Sequence, residues 1–286
     1  MSALTRRAML AGAAALAAAP AYADTVAGDI AALEKQSGGR LGVFGLDTGS
    51  GRSIAYRAGE RFPLCSTYKL LTVAAVLHGV DKGAVTLDQR IAYGQADLLD
   101  YAPVTRKNVG AGFMTVGALS AAALEWSDNT AANLLLGVIG GPQGWTRFAR
   151  SLGDRVSRLD RTEPTLNTAI PGDKRDTTTP QAMVNDLRAV LLDDALTEPS
   201  RAQLNAWLLA SQIDGALLKA GLPAGWRVGD KSGAGAYGTR NDIGILYPPG
   251  AAPILAAVYY TETTQPMAAS NRLIADCGRI IAQAFS

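Results

Sequence analysis

Histidine is almost absent from this chain: His78 is the only one in 286 residues. A nucleophile activated by an imidazole would have to meet that one ring, and a zinc site has almost no ligands to draw on. Cysteine is scarce as well. Cys65 and Cys277 could form at most one disulfide. Cys65 lies in the apolar stretch PLCSTYKLL and Cys277 in an amphipathic C-terminal pattern, so they read as two separate buried thiols. Aromatic residues make up only 6% and no basic block occurs, which leaves nucleic-acid binding without electrostatic support. The Ala/Leu-rich run that ends at Ala19 is shorter than the roughly 20 residues needed to cross a bilayer.

That run reads as part of a leader. Arg6-Arg7 precedes it and Ala21-Tyr22-Ala23 follows, a small-x-small cleavage pattern. TRRAML resembles the twin-arginine export signal, with an ordinary Sec leader as the alternative. The expected mature protein therefore begins at residue 24 and is periplasmic or secreted, with no membrane attachment once residues 1–23 are removed. Their removal takes two arginines and no acids, leaving 25 basic against 25 acidic side chains. A neutral chain with 48% hydrophobic residues suits a globular enzyme, expected to be monomeric.

What is present divides into three stretches. RLGVFGL (40–46) and RSIAYR (52–57) alternate around the turn DTGSG and read as a β-hairpin. From 66 to 80 the chain is apolar nearly all round, as a buried helix is. VGALSAAALEW, TAANLLLGVI, GWTRFARSL, TPQAMVNDLRAVLL and SRAQLNAWLLAS then carry helical spacing, with Thr179 and Ser200 as caps. After Gly225, WRVGDKSG, TRNDIGILY and APILAAVYYTE read as strands, with PPG as a turn, and 267–285 as a helix. The expected fold class is α/β (α+β). Residues 24–60 and 211–286 join in one antiparallel sheet flanked by helices, and 61–210 form an all-helical domain.

Ser66 and Lys69 pose the chemical question. His78 lies twelve residues beyond Ser66 on the same predicted helix, about 18 Å along it at about 1.5 Å per residue, so it cannot serve the hydroxyl. Lys69, at i+3, shares the helix face. An exposed lysine titrates near about 10.4, but burial disfavours its charge and makes it available as a base. The start of the helix also favours an anion at Ser66. Ser-x-x-Lys alone equally describes a cap followed by a snorkelling lysine. Ser127-Asp128-Asn129 alone is equally a capping cluster, and Lys231-Ser232-Gly233 equally the end of a strand.

Together, in this order, the three resemble the serine penicillin-recognising enzymes, specifically the class A β-lactamases. Ser232 stands where the family pattern has threonine, and both carry a hydroxyl. A fourth segment narrows the resemblance: Glu163-Pro164 and Asn167 in RTEPTLN match the class A Glu-x-x-Leu-Asn loop. Pro164 turns Glu163 away from helix and makes a cis bond plausible there. Residues 161–176, rich in Pro, Gly, Asp and Thr, suit an Ω-loop. Tyr101 in YAPVT and Arg240 in GTRND extend the match, which covers about residue 30 to 285.

The resemblance implies a β-lactamase/transpeptidase-like fold and a metal-free, cofactor-free acylation–deacylation cycle on a small β-lactam substrate. Ser66 would be the nucleophile, with Lys69 and Glu163, the latter through a water, both candidate bases for acylation. Glu163 with Asn167 would hold the deacylating water. Ser127, bridged towards Lys231, would pass a proton to the lactam nitrogen, and Asn129 would bind the substrate's side-chain amide. The N–H groups of Ser66 and Ala234 would form the oxyanion hole. Lys231, Ser232, Gly233 and Arg240 would line the carboxylate subsite, and Tyr101 would be a wall of the cleft. Arg161 and Asp176 would close the loop as an ion pair. A carbapenem-hydrolysing subgroup pairs the cysteine before its nucleophile with one at the position that looks like Gly235 here, so that disulfide is not expected. A D,D-peptidase, or a penicillin sensor that stays acylated, would share three motifs but not the Glu163 loop.

Overall fold

A computed structural model describes residues 25–286; the expected leader, 1–23, lies outside them. The described residues open with helix α1 (25–37). The predicted hairpin follows as β1 (Arg40–Asp47) and β2 (Ser53–Tyr56), paired antiparallel with Val43 opposite Tyr56 and Leu46 opposite Ser53. Strands β3 (Phe62–Pro63), β4 (Arg90–Ala92), β5 (Phe113–Thr115) and β6 (Thr177–Thr178) are short. They form two small ribbons, β3–β6 and β4–β5, too short to carry an alternating pattern. The last strands, β7 (Arg227–Ala234), β8 (Arg240–Tyr247) and β9 (Ile254–Thr261), complete a five-stranded antiparallel sheet in the order β2-β1-β9-β8-β7. The two ends of the chain meet in it, because β1 pairs β9 along its whole length, Arg40 opposite Thr261 through Asp47 opposite Ile254.

The helices are α2 (Tyr68–Asp81), α3 (Thr105–Asn108), α4 (Val116–Glu125), α5 (Asn129–Val138), α6 (Gly141–Ser151), α7 (Pro180–Leu191), α8 (Glu198–Leu209), α9 (Leu218–Gly221) and α10 (Met267–Phe285). Every residue of β9 is buried, so the sheet is covered on both faces. Period-two alternation sorts its side chains. Leu255, Ala257 and Tyr259 face the core shared with α2, α4, α5 and α7. Ile254, Ala256, Val258 and Tyr260 face the core shared with α1 and α10. α2 is buried along most of its length, and Lys69 is among its fully buried residues.

Thr179 caps α7 as expected, its Oγ1 accepting the Ala182 N–H at 3.2 Å. Ser200 does not cap α8, which starts earlier, at Glu198 with Pro199 in its first turn. The Ser200 hydroxyl instead donates to Asp81 Oδ1 at 2.6 Å, and Thr197 adds two hydrogen bonds to the same carboxylate. A tertiary acceptor at the end of α2 thus outcompetes a local cap. Cys65 and Cys277 are both buried free thiols. No helix among the described residues is long and apolar enough to cross a membrane.

Candidate active site

Ser66 sits in the 3₁₀ turn Cys65–Thr67 that leads into α2. Two elements fix that turn. Asn241 of β8 donates to Pro63 O (2.8 Å) and Leu64 O (3.2 Å), and Asp176 O accepts the Leu64 N–H at 2.8 Å. β7 runs directly against the turn. A Cβ on Gly233 would stand 3.0 Å from Leu64 O and 3.2 Å from Ser66 N, so glycine lets β7 pass this close to the turn that carries Ser66. One residue on, a Cβ at Gly235 would meet Cys65 Sγ at 2.6 Å. The two positions are adjacent, and with glycine at one of them Cys65 stays a thiol.

Lys69 is the second residue of α2, with its ammonium enclosed. Nζ is 2.7 Å from Ser127 O, 3.2 Å from Ser127 Oγ, 2.6 Å from Asn129 Oδ1 and 3.2 Å from Glu163 Oε1. Four acceptors surround the three N–H bonds of the ammonium, so each donor has a partner. Burial pulls the lysine down to about 8, against the opposing charge of Glu163. Ser127 reaches it from a left-handed backbone conformation, φ +56°. Asp128 caps α5 through Ala131 N–H and also accepts from Val104 N, Thr105 N and Thr105 Oγ1. The capping reading of Ser-Asp-Asn therefore holds for its middle residue, while the outer two face the lysine. Asn129 N–H also bonds Tyr101 O at 3.0 Å, tying the tyrosine's segment to the same point.

Glu163 comes from the loop between α6 and α7, and its bond to Pro164 is cis. Its buried Oε1 lies 3.3 Å from Ser66 Oγ and 3.2 Å from Lys69 Nζ, while Oε2 accepts from Asn167 Nδ2. Asn167 Oδ1 is buried without a protein partner, an acceptor available to a water or substrate. Asn133 of α5 grips the Glu163 backbone from both sides, Nδ2 to Glu163 O and Glu163 N to Oδ1, each at 3.0 Å. Sequence reasoning missed Asn133. Its i+4 spacing from Asn129, on the face already carrying function, was the available signal.

The neck of the loop is closed by Asp176, almost fully buried. Arg161 Nε meets its Oδ2 at 2.6 Å, and the Asp160 and Arg161 N–H groups bond its Oδ1 at 2.7 and 2.9 Å. Farther along, Ala236 N–H bonds Asn167 O at 2.9 Å and fastens the loop to the turn after β7.

Lys231 is also fully buried, on β7, and burial lowers its pKa against the attraction of Asp214, Asp242 and Asp230. Its Nζ donates to Ser232 O at 2.9 Å rather than bridging to Ser127. Arg240, at the start of β8, is held by Asn271 Oδ1 at 2.8 Å. Ser66, Tyr101, Ser127, Asn129, Asn167, Ser232, Gly233, Ala234 and Arg240 line one cleft of about 430 Å³. Ile213, in the bend after α8, and Met267, the first residue of α10, line it too; both went unnoticed because neither carries a chemical signal. A larger cavity, about 650 Å³, lies beside the C-terminal half of α2 and contains none of these groups except the wall residue Asn133. Among the described residues there is no cluster of His, Cys, Asp and Glu fit to hold a metal ion.

A hydroxyl at a helix start in contact with a buried glutamate, which itself meets a buried lysine, has the make-up of a serine acyl-transfer enzyme. Comparison with known proteins places it further. The beta-lactamase enzyme family pattern matches residues 25–285. The chain is 48% identical over 272 residues to beta-lactamase CTX-M-8 of Citrobacter amalonaticus, covering 94% of this chain and 93% of that protein. It is 51% identical over 255 residues to beta-lactamase AST-1 of Nocardia asteroides, covering 89% and 82%. The structure of an ancestral class A beta-lactamase superposes with a TM-score of 0.89 at 57% identity, covering 91% of this chain and 100% of that one. The chain belongs to the beta-lactamase enzyme family, as a class A serine enzyme with the mixed α/β fold of that class.

Proposed function

We propose that the protein hydrolyses the lactam amide of penicillins and cephalosporins, and so confers antibiotic resistance, through an acyl-enzyme on Ser66. One observation carries the mechanism: Glu163 Oε1 is in contact with both Ser66 Oγ and Lys69 Nζ. Ser66 Oγ attacks the lactam carbonyl carbon, and its proton passes to Glu163, directly or through a water. The oxyanion develops between the N–H groups of Ser66 and Ala234. As the C–N bond breaks, Ser127 gives its proton to the leaving nitrogen and is resupplied by Lys69, 3.2 Å away. Glu163 then returns the proton it took to Lys69, 3.2 Å away, which frees the carboxylate for the second half of the cycle. A water held by Glu163 and Asn167 loses a proton to Glu163 and attacks the ester carbonyl, and Glu163 passes that proton to the departing Ser66 Oγ, 3.3 Å away.

Ser232 and Arg240 receive the substrate carboxylate by hydrogen bonds, charge-assisted from Arg240, with the buried Lys231 adding positive charge from behind Ser232. Asn129 holds the side-chain amide and Tyr101 flanks the ring. The division into a sheet part (24–60 and 211–286) and a helical part (61–210) puts this cleft between the two. We place the mature chain in the periplasm on the strength of Arg6-Arg7 and the Ala21-Tyr22-Ala23 site. A monomer is favoured because, of the five exposed large hydrophobics among the described residues, Tyr101 and Met267 belong to the cleft rather than to a patch.

Glu163→Ala tests the assignment. Its mass spectrum after brief exposure to benzylpenicillin should show a persistent one-to-one adduct, absent from Ser66→Ala and scarce in wild type. Removing a positioned general base slows its step by about 10²–10⁴-fold. An adduct cleared at the wild-type rate would place the deacylating base elsewhere.

A further inference from the structure

Five arginines from three separate segments converge on one cavity of about 450 Å³ that shares no lining residue with the cleft: Arg61, Arg147 and Arg150 of α6, Arg155 and Arg158. Such a concentration is anomalous in a chain whose charges balance after residue 23. Only Arg158 has an ion-pair partner, Asp160, which is also the one acid in the wall. Arg61 donates to Val156 O and Thr177 Oγ1, and Arg150 to Asp154 O, all neutral acceptors, although Arg150 also acts electrostatically on the buried Asp186 carboxyl. Asp154 directs its carboxylate to the Val156 and Ser157 N–H groups. Arg147 and Arg155 are exposed and enter no ion pair.

We propose that this cavity is a binding site for a small, multiply charged oxyanion of oligophosphate chemistry, separate from the β-lactam cleft. Guanidinium forks match phosphate oxygens two at a time and are weakly hydrated, so they give up water readily for such a ligand. Like charges held together in a concave wall raise the local anion concentration. A soluble oligophosphate is favoured over a membrane headgroup because none of the exposed large hydrophobics, Tyr101, Trp126, Ile170, Tyr237 and Met267, lines this cavity to enter a bilayer.

Occupancy has a structural consequence. The 155–160 wall leads into the loop that carries Glu163, and Arg158 N–H bonds Thr177 O at 3.0 Å across the loop's neck. Arg61 bridges the same two limbs through Val156 O and Thr177 Oγ1. An anion gathering Arg61, Arg155 and Arg158 would therefore tie the limbs together.

The probe is sodium tripolyphosphate, titrated calorimetrically into the whole protein at low ionic strength. One site per chain is expected. At a hundredfold excess over Kd the melting temperature should rise by about 5–10 °C. Arg147→Ala/Arg155→Ala, which touches neither the cleft nor the neck's hydrogen bonds, should keep wild-type benzylpenicillin turnover, showing that it is folded, and should bind at least about tenfold more weakly. Absence of tripolyphosphate binding, or equal binding by the double variant, would overturn the proposal. So would binding only to phosphatidylglycerol vesicles or to single-stranded DNA, which would identify a membrane or nucleic-acid surface instead.

Discussion

Replacing Arg161 with serine tests how the loop is held. Asp176 is 1% exposed and Arg161 19%, so the pair is screened far less than a surface one. Losing one partner of a fully buried pair costs about 3–5 kcal/mol, and a solvated pair is worth about 0–1. Two facts place this one between those limits. Asp176 would keep the Asp160 and Arg161 N–H bonds, so its carboxylate would not be orphaned. Against that, Arg161 also holds Thr168 Oγ1 at 2.9 Å, a second tie that would go with it. About 2–3 kcal/mol is a reasonable sum, with hydrogen bonds to charged groups worth about 1.5–3 each. For a chain of this size that lowers the melting temperature by about 5–10 °C. Circular dichroism would measure it, and kcat/KM for benzylpenicillin against a bulky oxyimino-cephalosporin would report the loop. The ratio should shift towards the cephalosporin, because the segment bearing Glu163 and Asn167 gains room. A melting point within a degree of wild type, with an unchanged ratio, would refute the argument that the neck holds the loop closed.

Asn133→Ala should slow turnover by at least about tenfold, since each of two lost hydrogen bonds is worth about 0.5–1.5 kcal/mol. Stopped-flow measurement should put the loss in deacylation, and equal slowing of acylation would show that Asn133 does not act through Glu163. Asp186 on α7, buried beside Asp154, has its carboxyl pushed well above the ordinary range, first by burial and then by that neighbour, with Arg150 opposing. Held neutral in the fold, it lends stability that is fully present below about pH 4, the unfolded carboxyl's range, and is lost as pH rises towards its folded pKa. Asp186→Asn should flatten that decline in urea midpoints measured from about pH 4 upward; a slope identical to wild type over the whole range would mean the carboxyl is not held neutral by the fold. Finally, a chelator should leave the hydrolysis of a chromogenic cephalosporin unchanged, and loss of activity that zinc restores would sink the serine mechanism.

The large elements were legible because each carries its own signal. The β1–β2 hairpin, the three C-terminal strands and α10 all fall within two residues of the pattern that marks them. Alternation and helical spacing are properties of one segment with its own two faces. The two-residue strands β3 and β6 were invisible, because so short a strand exists only by virtue of its partner. Ser200 misled for a related reason: its hydroxyl suits a cap, but Asp81 from a distant helix offered the better acceptor.

The reactive residues were legible for a different reason. Ser66 with Lys69, Ser127 with Asn129, and Glu163 with Asn167 are pairs close in sequence, so local backbone geometry joins each pair. What joins the pairs to one another is long-range. Glu163 meets Ser66 across 97 residues, and Lys69 meets Ser127 across 58. Asn133, which holds Glu163, and the converging arginines beside α6 lie outside every such pair. By itself, the sequence determined which residue types and short spacings are present, because side-chain chemistry and local helix geometry travel with the segment. Only the tertiary structure decided that Lys69 is dry enough to sit near about 8, because its pKa depends on water excluded by side chains from α2, α5 and the Glu163 loop together.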